Sequence, residues 1–146
     1  MTDLRQPIDP PSGWQLDHLR EYVETDGEQG HLWMGVPTLL LTTTGRRTGQ
    51  ARRTPLIYGE DAEGRYVLVA SKGGSPDHPA WYYNLDADPR VLVQIKGDVF
   101  EATAHTAQGE ERDALWQIMT KIWPAYDEYQ TKTDRQIPVV VLTRVS

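Results

Sequence analysis

Four arginines close together are the strongest chemical signal in the chain. The segment 45–55, called the arginine turn below, carries Arg46, Arg47, Arg52 and Arg53. Like charges this close repel one another unless an anion lies nearby, and the planar guanidinium matches phosphate and carboxylate groups. Glycines in a tight turn let backbone N–H groups approach such an anion. The segment therefore predicts an anion site, and the alternative is a solvated hairpin tip whose arginines pair with Asp or Glu of the same chain.

A second loop, residues 71–76, is called the glycine loop and has the sequence Ser-Lys-Gly-Gly-Ser-Pro. Adjacent glycines permit backbone conformations that other residues rarely adopt, while Lys72 adds a cation and Ser71 a hydroxyl. A helix is predicted to begin near Pro79, and helix N-termini favour anions. The loop is a second candidate anion site, or an ordinary connection from a strand to a helix.

The aromatic residues are mainly those with a polar group, since the chain has seven Tyr and five Trp against one Phe. Trp123, Tyr126 and Tyr129 recur at a spacing of three, which places them on one face of a helix. Such side chains suit a partly hydrated cleft that stacks on flat rings, although packing in the core is the alternative. We favour a functional role for Tyr126 and Tyr129, whose hydroxyls need partners when buried.

Several familiar kinds of active site are missing from the sequence. The histidines at 18, 31, 78 and 105 lack metal-ligand spacing, and the chain has no cysteine, so we expect no metal site. No Gly-x-Ser-x-Gly elbow, phosphate-binding P-loop or GxGxxG fingerprint occurs. The reactivity of an enzyme with this inventory must come from a cofactor.

Hydrophobic patterning predicts six mostly antiparallel strands, at 38–44, 52–58, 66–70, 91–95, 99–104 and 137–142. We expect a capping box at Ser12 and Gln15 to begin a first helix that stops at residues 25–27. Further helices are predicted over 78–86, around 115–122 and, after Pro124, in a short aromatic segment. This pattern indicates an α+β, mainly β class, in which about six strands close into a split β-barrel with three or four flanking helices.

Length and charge restrict the remaining choices. We expect residues 1–146 to form a single split-barrel domain, with residues 1–30 as an N-terminal helical extension. The formal net charge of −6 argues against nucleic acid as a partner. No apolar run approaches the ~20 residues that span a bilayer, so we expect no stable membrane insertion and a cytoplasmic location.

Four ordered blocks of sequence carry a family resemblance. They are residues 41–50 (LTTTGRRTGQ), 70–74 (ASKGG), 79–85 (PAWYYNL) and 126–140 (YDEYQ, then TDR and IPVV). Over about residues 30–143 the chain resembles the deazaflavin (coenzyme F420)-dependent nitroreductases, which have a split β-barrel of the flavin-binding type. The resemblance implies that coenzyme F420 is the cofactor, and members of such folds often pair, so we also consider a homodimer.

The resemblance also implies roles for individual residues. The cofactor phosphate and acidic tail would lie along a basic groove formed by Arg46, Arg47, Arg52 and Lys72. Other cofactor contacts are assigned to Thr54, Ser71, Gly73, Ala80, Trp81 and Asn84. Tyr126 and Ser71 are the catalytic candidates, as hydrogen-bond donors to the acceptor. The substrate pocket is assigned to Tyr129, Trp123 and Tyr58; Trp123 stands where a third tyrosine can occur in the family, which would change the shape of that pocket.

The implied reaction is hydride transfer from the reduced deazaflavin to a small planar acceptor. Activated nitroaromatics, quinones and conjugated enones or lactones such as coumarins fit this description. One alternative is an oxidoreductase with the same barrel that uses FMN, and another is a carrier that binds the deazaflavin without catalysis. A small anion- or RNA-binding barrel is a third, disfavoured by the acidic net charge.

Overall fold

The computed structural model describes residues 2–145, which fold around one curled antiparallel sheet. Its strands are β1 (Leu32–Trp33), β2 (Val36–Thr44), β3 (Ala51–Ile57), β4 (Gly59–Glu60), β5 (Tyr66–Val69), β6 (Arg90–Ile95), β7 (Asp98–Thr106) and β8 (Val139–Arg144). The order is β1-β2-β6-β7-β8-β5-β4, and β3 also pairs with β2. The helices are α1 (Trp14–Glu24), α2 (Ala80–Ala87), α3 (Gly109–Ile122) and α4 (Ala125–Thr131), with a 3-10 turn at Lys72–Gly74. The predicted α+β class is therefore confirmed.

The sheet buries apolar side chains on both faces because successive side chains of a strand point to opposite sides. In β8, Val140 and Leu142 belong to one core cluster, whereas Val139 and Val141 belong to another that includes residues of α3 and α4. All four are fully buried. The nearly uniform apolar sequence of residues 137–142 predicts a strand buried on both sides, and the structure confirms this. Helices α3 and α4 are fixed against the second cluster.

Most predicted boundaries shift by one or two residues, and two of the differences have a clear local cause. The capping box is wrong: α1 follows Gly13, whose φ is 94°, and no side chain caps the helix. Ser12 precedes this left-handed residue and so lies too early to cap. The last strand begins at Val139 instead of Ile137, since Pro138 has no N–H to offer the sheet. The six predicted strands are all present, and β1 and β4 are additional two-residue strands.

The segment before α1 is not helical in its described part, residues 2–13; within the predicted N-terminal extension only α1 is an α-helix. The segment runs beside β3, where Ile8 pairs with Arg52 in a parallel bridge. The N–H of Ile8 donates to the carbonyl of Ala51 at 2.8 Å, and Leu4 is buried against Ala51 and Leu92. These contacts bring the segment close to the arginine turn. Among the described residues, no helix has the length and apolar character needed to cross a bilayer.

Candidate functional site

A cleft of about 500 Å³ lies between the arginine turn and the start of α2, and we call it the basic cleft. The structure brings seven predicted cofactor residues together in its lining: Arg46, Arg47, Arg52, Thr54, Ala80, Trp81 and Asn84. Thr43, Thr48 and Arg53 also line it and were not assigned a role from the sequence. No carboxylate lines this cleft among the described residues, so its charge is positive although the protein as a whole is acidic.

The four arginines of the arginine turn differ in their partners. Arg53 forms a two-pronged ion pair with Asp9, at 2.8 and 2.9 Å. Within the described part of the chain, Arg46, Arg47 and Arg52 have no carboxylate within 4.0 Å. The guanidinium of Arg46 lies over the Tyr83 ring, 4.7 Å from its centroid. Three unpaired cations on one cleft favour an anionic ligand over the self-paired hairpin tip.

Asn84 connects α2 to the arginine turn. Its Oδ1 accepts a hydrogen bond from the N–H of Arg46 at 3.1 Å, and its Nδ2 donates to the Thr43 hydroxyl at 3.1 Å. The residue is buried. Asn84 therefore lines the basic cleft as predicted, and it also fixes the backbone that carries Arg46.

A second cleft, of about 240 Å³, is called the aromatic cleft. Its lining includes six predicted residues, Ser71, Lys72, Gly73, Trp123, Tyr126 and Tyr129, together with Trp81. The resemblance implies that Lys72 lies in one groove with the arginines and that Gly73 is another cofactor contact. The glycine loop places both on the aromatic cleft instead of the basic cleft. Trp33 of β1 also lines the cleft; it was missed because residues 28–35 suggested only a connector.

Trp81 lines both clefts and so marks their junction. It lies in the first turn of α2, where Pro79 lines the aromatic cleft and Ala80 the basic cleft. The basic cleft can therefore hold an anionic tail and the aromatic cleft a planar ring, and the two sites adjoin at the indole of Trp81.

Tyr126 lines the aromatic cleft and carries a neutral phenol. The residue is buried, and burial raises the pKa of its phenol well above the usual value near 10, with Tyr129 adding to the effect. Its hydroxyl has no hydrogen-bond partner among residues 2–145. The Tyr129 hydroxyl, by contrast, accepts a hydrogen bond from Trp123 Nε1 at 3.4 Å. Tyr126 can therefore donate to a ligand over the whole physiological pH range.

The structure does not bring Tyr58 to either cleft, which corrects its predicted place in the substrate pocket. Strand β3 ends at Ile57, and Tyr58 turns into the core cluster, where it is 7% exposed. Its hydroxyl lies 3.0 Å from Nε2 of His31. Burial, with Tyr22, Glu60 and Tyr66, raises the pKa of Tyr58 to about 12.

Arg135 holds the glycine loop in place and was not singled out from the sequence. Its guanidinium donates to the carbonyls of Ser71 at 2.7 Å, Ser75 at 2.9 Å and Ala70 at 3.2 Å. Nη1 also donates to Nδ1 of His78 at 2.9 Å. These contacts join segments about sixty residues apart, so no local pattern could have revealed them.

Gly74 lets the glycine loop pack on α4, and alanine at this position is expected to lower the free energy of unfolding. Its φ is 85°, and an added Cβ would lie 2.6 Å from the carbonyl oxygen of Tyr129. Gly73 is the matched control, because its φ of 64° is similar but its Cβ would meet no atom within 4 Å. We expect Gly74→Ala to cost about 3 kcal/mol and Gly73→Ala about 1 kcal/mol, measured by urea unfolding. Equal losses would contradict the close packing.

Acidification is expected to weaken the fold through His78. Burial, followed by the charge of Arg135, lowers the pKa of His78, and these outweigh the opposing effects of Asp77 and Asp86. The folded protein thus binds a proton on His78 more weakly than the unfolded chain does. The contribution of neutral His78 to the free energy of unfolding is therefore fully present above pH ~6.5 and is lost as the pH falls through the lowered pKa. His78→Gln should reduce the slope of unfolding free energy against pH between about 5 and 7. An unchanged slope in His78→Gln would show that His78 does not contribute to the pH dependence of stability.

The whole site lies within a segment that matches a single family model. Residues 14–144 match the model of the F420H2-dependent quinone reductases. The chain belongs to the F420H2-dependent quinone reductase family. An F420H2-dependent quinone reductase of Mycobacterium tuberculosis (strain H37Rv) is 43% identical over 148 aligned residues, covering 97% of this chain and 99% of that protein.

Two solved structures are similar to this chain in sequence and fold. The F420H2-dependent reductase FDR-A is 48% identical, with a TM-score of 0.67 over 73% of this chain and 93% of that one. Another, described as a domain-swapped dimer, is 44% identical, with a TM-score of 0.69 over 86% of this chain and 97% of that one. Membership of the F420H2-dependent quinone reductases confirms the predicted split-barrel fold, the oxidoreductase class and coenzyme F420 as the cofactor, ahead of FMN.

Proposed function

We propose that the chain binds coenzyme F420 across both clefts and reduces a quinone or a related planar acceptor in the aromatic cleft. The observation that carries the proposal is the junction at Trp81, where a cleft with three unpaired arginines meets one lined by Ser71, Tyr126 and Tyr129. Quinones are the acceptors given in the names of the family and of the Mycobacterium tuberculosis relative. The single split-barrel domain and the site residues assigned above, apart from Tyr58, are parts of this proposal.

The arginines would hold the anionic end of the cofactor. Arg46, Arg47 and Arg52 carry guanidinium groups that match phosphate and carboxylate and have no carboxylate partner in the described chain. Asn84 and Thr43 fix the backbone at Arg46, so less ordering of the loop is left for binding. The basic cleft therefore matches the cofactor by its positive charge. The aromatic cleft beyond Trp81 matches a planar ring by its flat aromatic surface.

The hydroxyls of Tyr126 and Ser71 would act on the acceptor. When bound in reduced form, the deazaflavin supplies a hydride. Negative charge then develops on an oxygen of the acceptor, and donors aimed at that oxygen lower the barrier. Tyr126 remains a neutral donor because burial keeps its pKa high. Trp123 and Tyr129 provide ring surface that orients a planar acceptor.

Titration with oxidised coenzyme F420, and in parallel with FMN, tests the cofactor site through the fluorescence of Trp81. Saturable quenching by the deazaflavin and weak quenching by FMN are expected. Turnover with reduced F420 and a soluble naphthoquinone then tests the reaction. Tight binding without turnover of any planar acceptor would instead indicate a carrier, and the absence of binding, also by equilibrium dialysis, would refute the cofactor site.

We further propose a homodimer, which the swapped-dimer relative supports; light scattering of the purified protein tests it. The cytoplasmic location stays a prediction from the sequence.

A further inference from the structure

Three consecutive N–H groups in the glycine loop are unused donors. The N–H groups of Ser71, Lys72 and Gly73 make no hydrogen bond to any residue within 2–145. Ser71 has right-handed helical angles (φ −79°, ψ −40°), whereas Lys72 is left-handed (φ 46°). This succession turns neighbouring N–H groups toward a common point and forms an anion-binding concavity. All three residues line the aromatic cleft.

Arg135 determines which way these N–H groups face. It binds the carbonyls of Ala70 and Ser71 but lines neither cleft, so it lies behind the loop. In a trans peptide the N–H points opposite to the carbonyl. The N–H groups of Ser71 and Lys72, which follow the two bound carbonyls, therefore point away from Arg135. A cation on those carbonyls also polarises the peptides and strengthens their N–H groups as donors.

The hydroxyls of two buried residues add to the same group of donors. Ser71 is 8% exposed and Tyr126 is 4% exposed, and both line the aromatic cleft. Neither hydroxyl has a hydrogen-bond partner in the part of the chain that the structure describes. These donors have no acceptor within the described chain and border the same cleft, so an oxygen of a bound ligand can take the place of water as their partner.

We propose that Arg135 is a positioning residue: it holds the N–H groups of residues 71–73, with the hydroxyls of Ser71 and Tyr126, as a donor pocket for a carbonyl oxygen that gains negative charge on hydride transfer. The inference rests on the proposed function, because such an oxygen belongs either to the planar acceptor or to the deazaflavin ring. Both sources share one chemistry, a conjugated carbonyl that becomes an enolate-like oxygen, and preorganised donors stabilise that charge.

Nuclear magnetic resonance of the 15N-labelled full chain tests the pocket directly. Oxidised F420 is added first and a soluble naphthoquinone second, with the Trp81 indole N–H as an internal reporter of binding. Shifts of the Ser71, Lys72 and Gly73 amides with F420 alone assign the oxygen to the deazaflavin ring; shifts only after the quinone assign it to the acceptor. A moving Trp81 signal with unmoved amides at both steps overturns the inference but leaves the proposed function intact. Absence of any Trp81 response refutes the proposed function.

Substitution of Arg135 separates positioning from mere stability. Arg135→Ala is expected to lower kcat about 10-fold or more, and added guanidinium should restore part of the lost kcat. Arg135→Lys should recover less kcat than guanidinium does, because an ammonium group lacks the planar fork of donors. Arg65→Ala is the matched control, because Arg65 pairs with Asp61 at 2.7 Å and lines neither cleft. If Arg135→Ala only lowers the Tm, as the control should, without changing kcat or the three amide shifts, the positioning role is excluded. If Arg135→Ala fails to fold, kcat of Arg135→Lys and the wild-type amide shifts decide whether Arg135 has the positioning role.

Discussion

Tyr126→Phe is expected to lower kcat about 100-fold while leaving the affinity for F420 unchanged. The substitution removes a buried hydroxyl that has no protein partner within the described chain and that lines the aromatic cleft. Because phenylalanine keeps the ring and its packing, the loss should fall on the step in which charge develops on the acceptor. Stopped-flow measurement of F420H2 oxidation by a naphthoquinone gives kcat, and fluorescence titration gives the Kd of the cofactor.

Tyr82→Phe provides the control for Tyr126. Its hydroxyl lies 2.9 Å from the Thr106 hydroxyl, and the residue lines neither cleft. Turnover of this variant should stay near that of the wild type. Since burial keeps Tyr126 protonated, wild-type kcat should also show no loss attributable to this residue between pH 8 and pH ~10. Unchanged turnover in Tyr126→Phe would remove the hydroxyl from the mechanism.

Removal of an unpaired arginine should weaken F420 binding far more than removal of a paired one. Arg46→Ala and Arg52→Ala are each expected to raise the Kd about 10- to 100-fold, since a charged hydrogen bond contributes about 1.5–3 kcal/mol. Affinity of the wild type should also fall with added salt, because exposed charges are screened. Isothermal titration at several salt concentrations measures both effects. Lys72→Ala should weaken binding as well if the anionic tail reaches the glycine loop.

Arg65→Ala is the matched control for the arginines. Arg65 pairs with Asp61 at 2.7 Å and lines neither cleft, so its removal should change stability without changing the Kd. Salt-independent binding, or equal effects of Arg65→Ala and Arg46→Ala, would show that the basic cleft does not hold the anionic end of the cofactor.

Local sequence was sufficient to predict the secondary-structure elements that carry the site residues. The arginine turn was predicted as the connection of a hairpin, and it joins β2 to β3 as expected. Apolar spacing predicted α3, and the uniform run at the C-terminal end predicted a strand buried on both faces. These patterns are informative because hydrophobic period and turn chemistry act over a few neighbouring residues. The capping box failed for a reason of the same short range, since Gly13 takes a left-handed conformation between Ser12 and the helix.

Partners from distant segments were beyond the reach of the sequence. Arg53 stands beside Arg52, yet among the described residues it alone of the four arginines has a carboxylate partner, Asp9, some forty residues earlier. Which arginine is paired depends on the path of residues 2–13 beside β3, and no local pattern specifies that path. Tyr58 is a second example. The sequence suggested a place in the substrate pocket, but the turn after β3 directs its ring into the core.

The sequence by itself determined the chemistry available to this protein: cations in one turn, donors and glycines in one loop, and aromatic residues with hydroxyls at helical spacing. The tertiary structure alone decided how that chemistry is divided. It separated Lys72 from the arginines, put Trp81 at the junction of two clefts and set Arg135 behind the glycine loop. The physical reason is that residue type and local conformation depend on near neighbours, whereas burial, pairing and the direction of an N–H group depend on chain segments that only folding brings together.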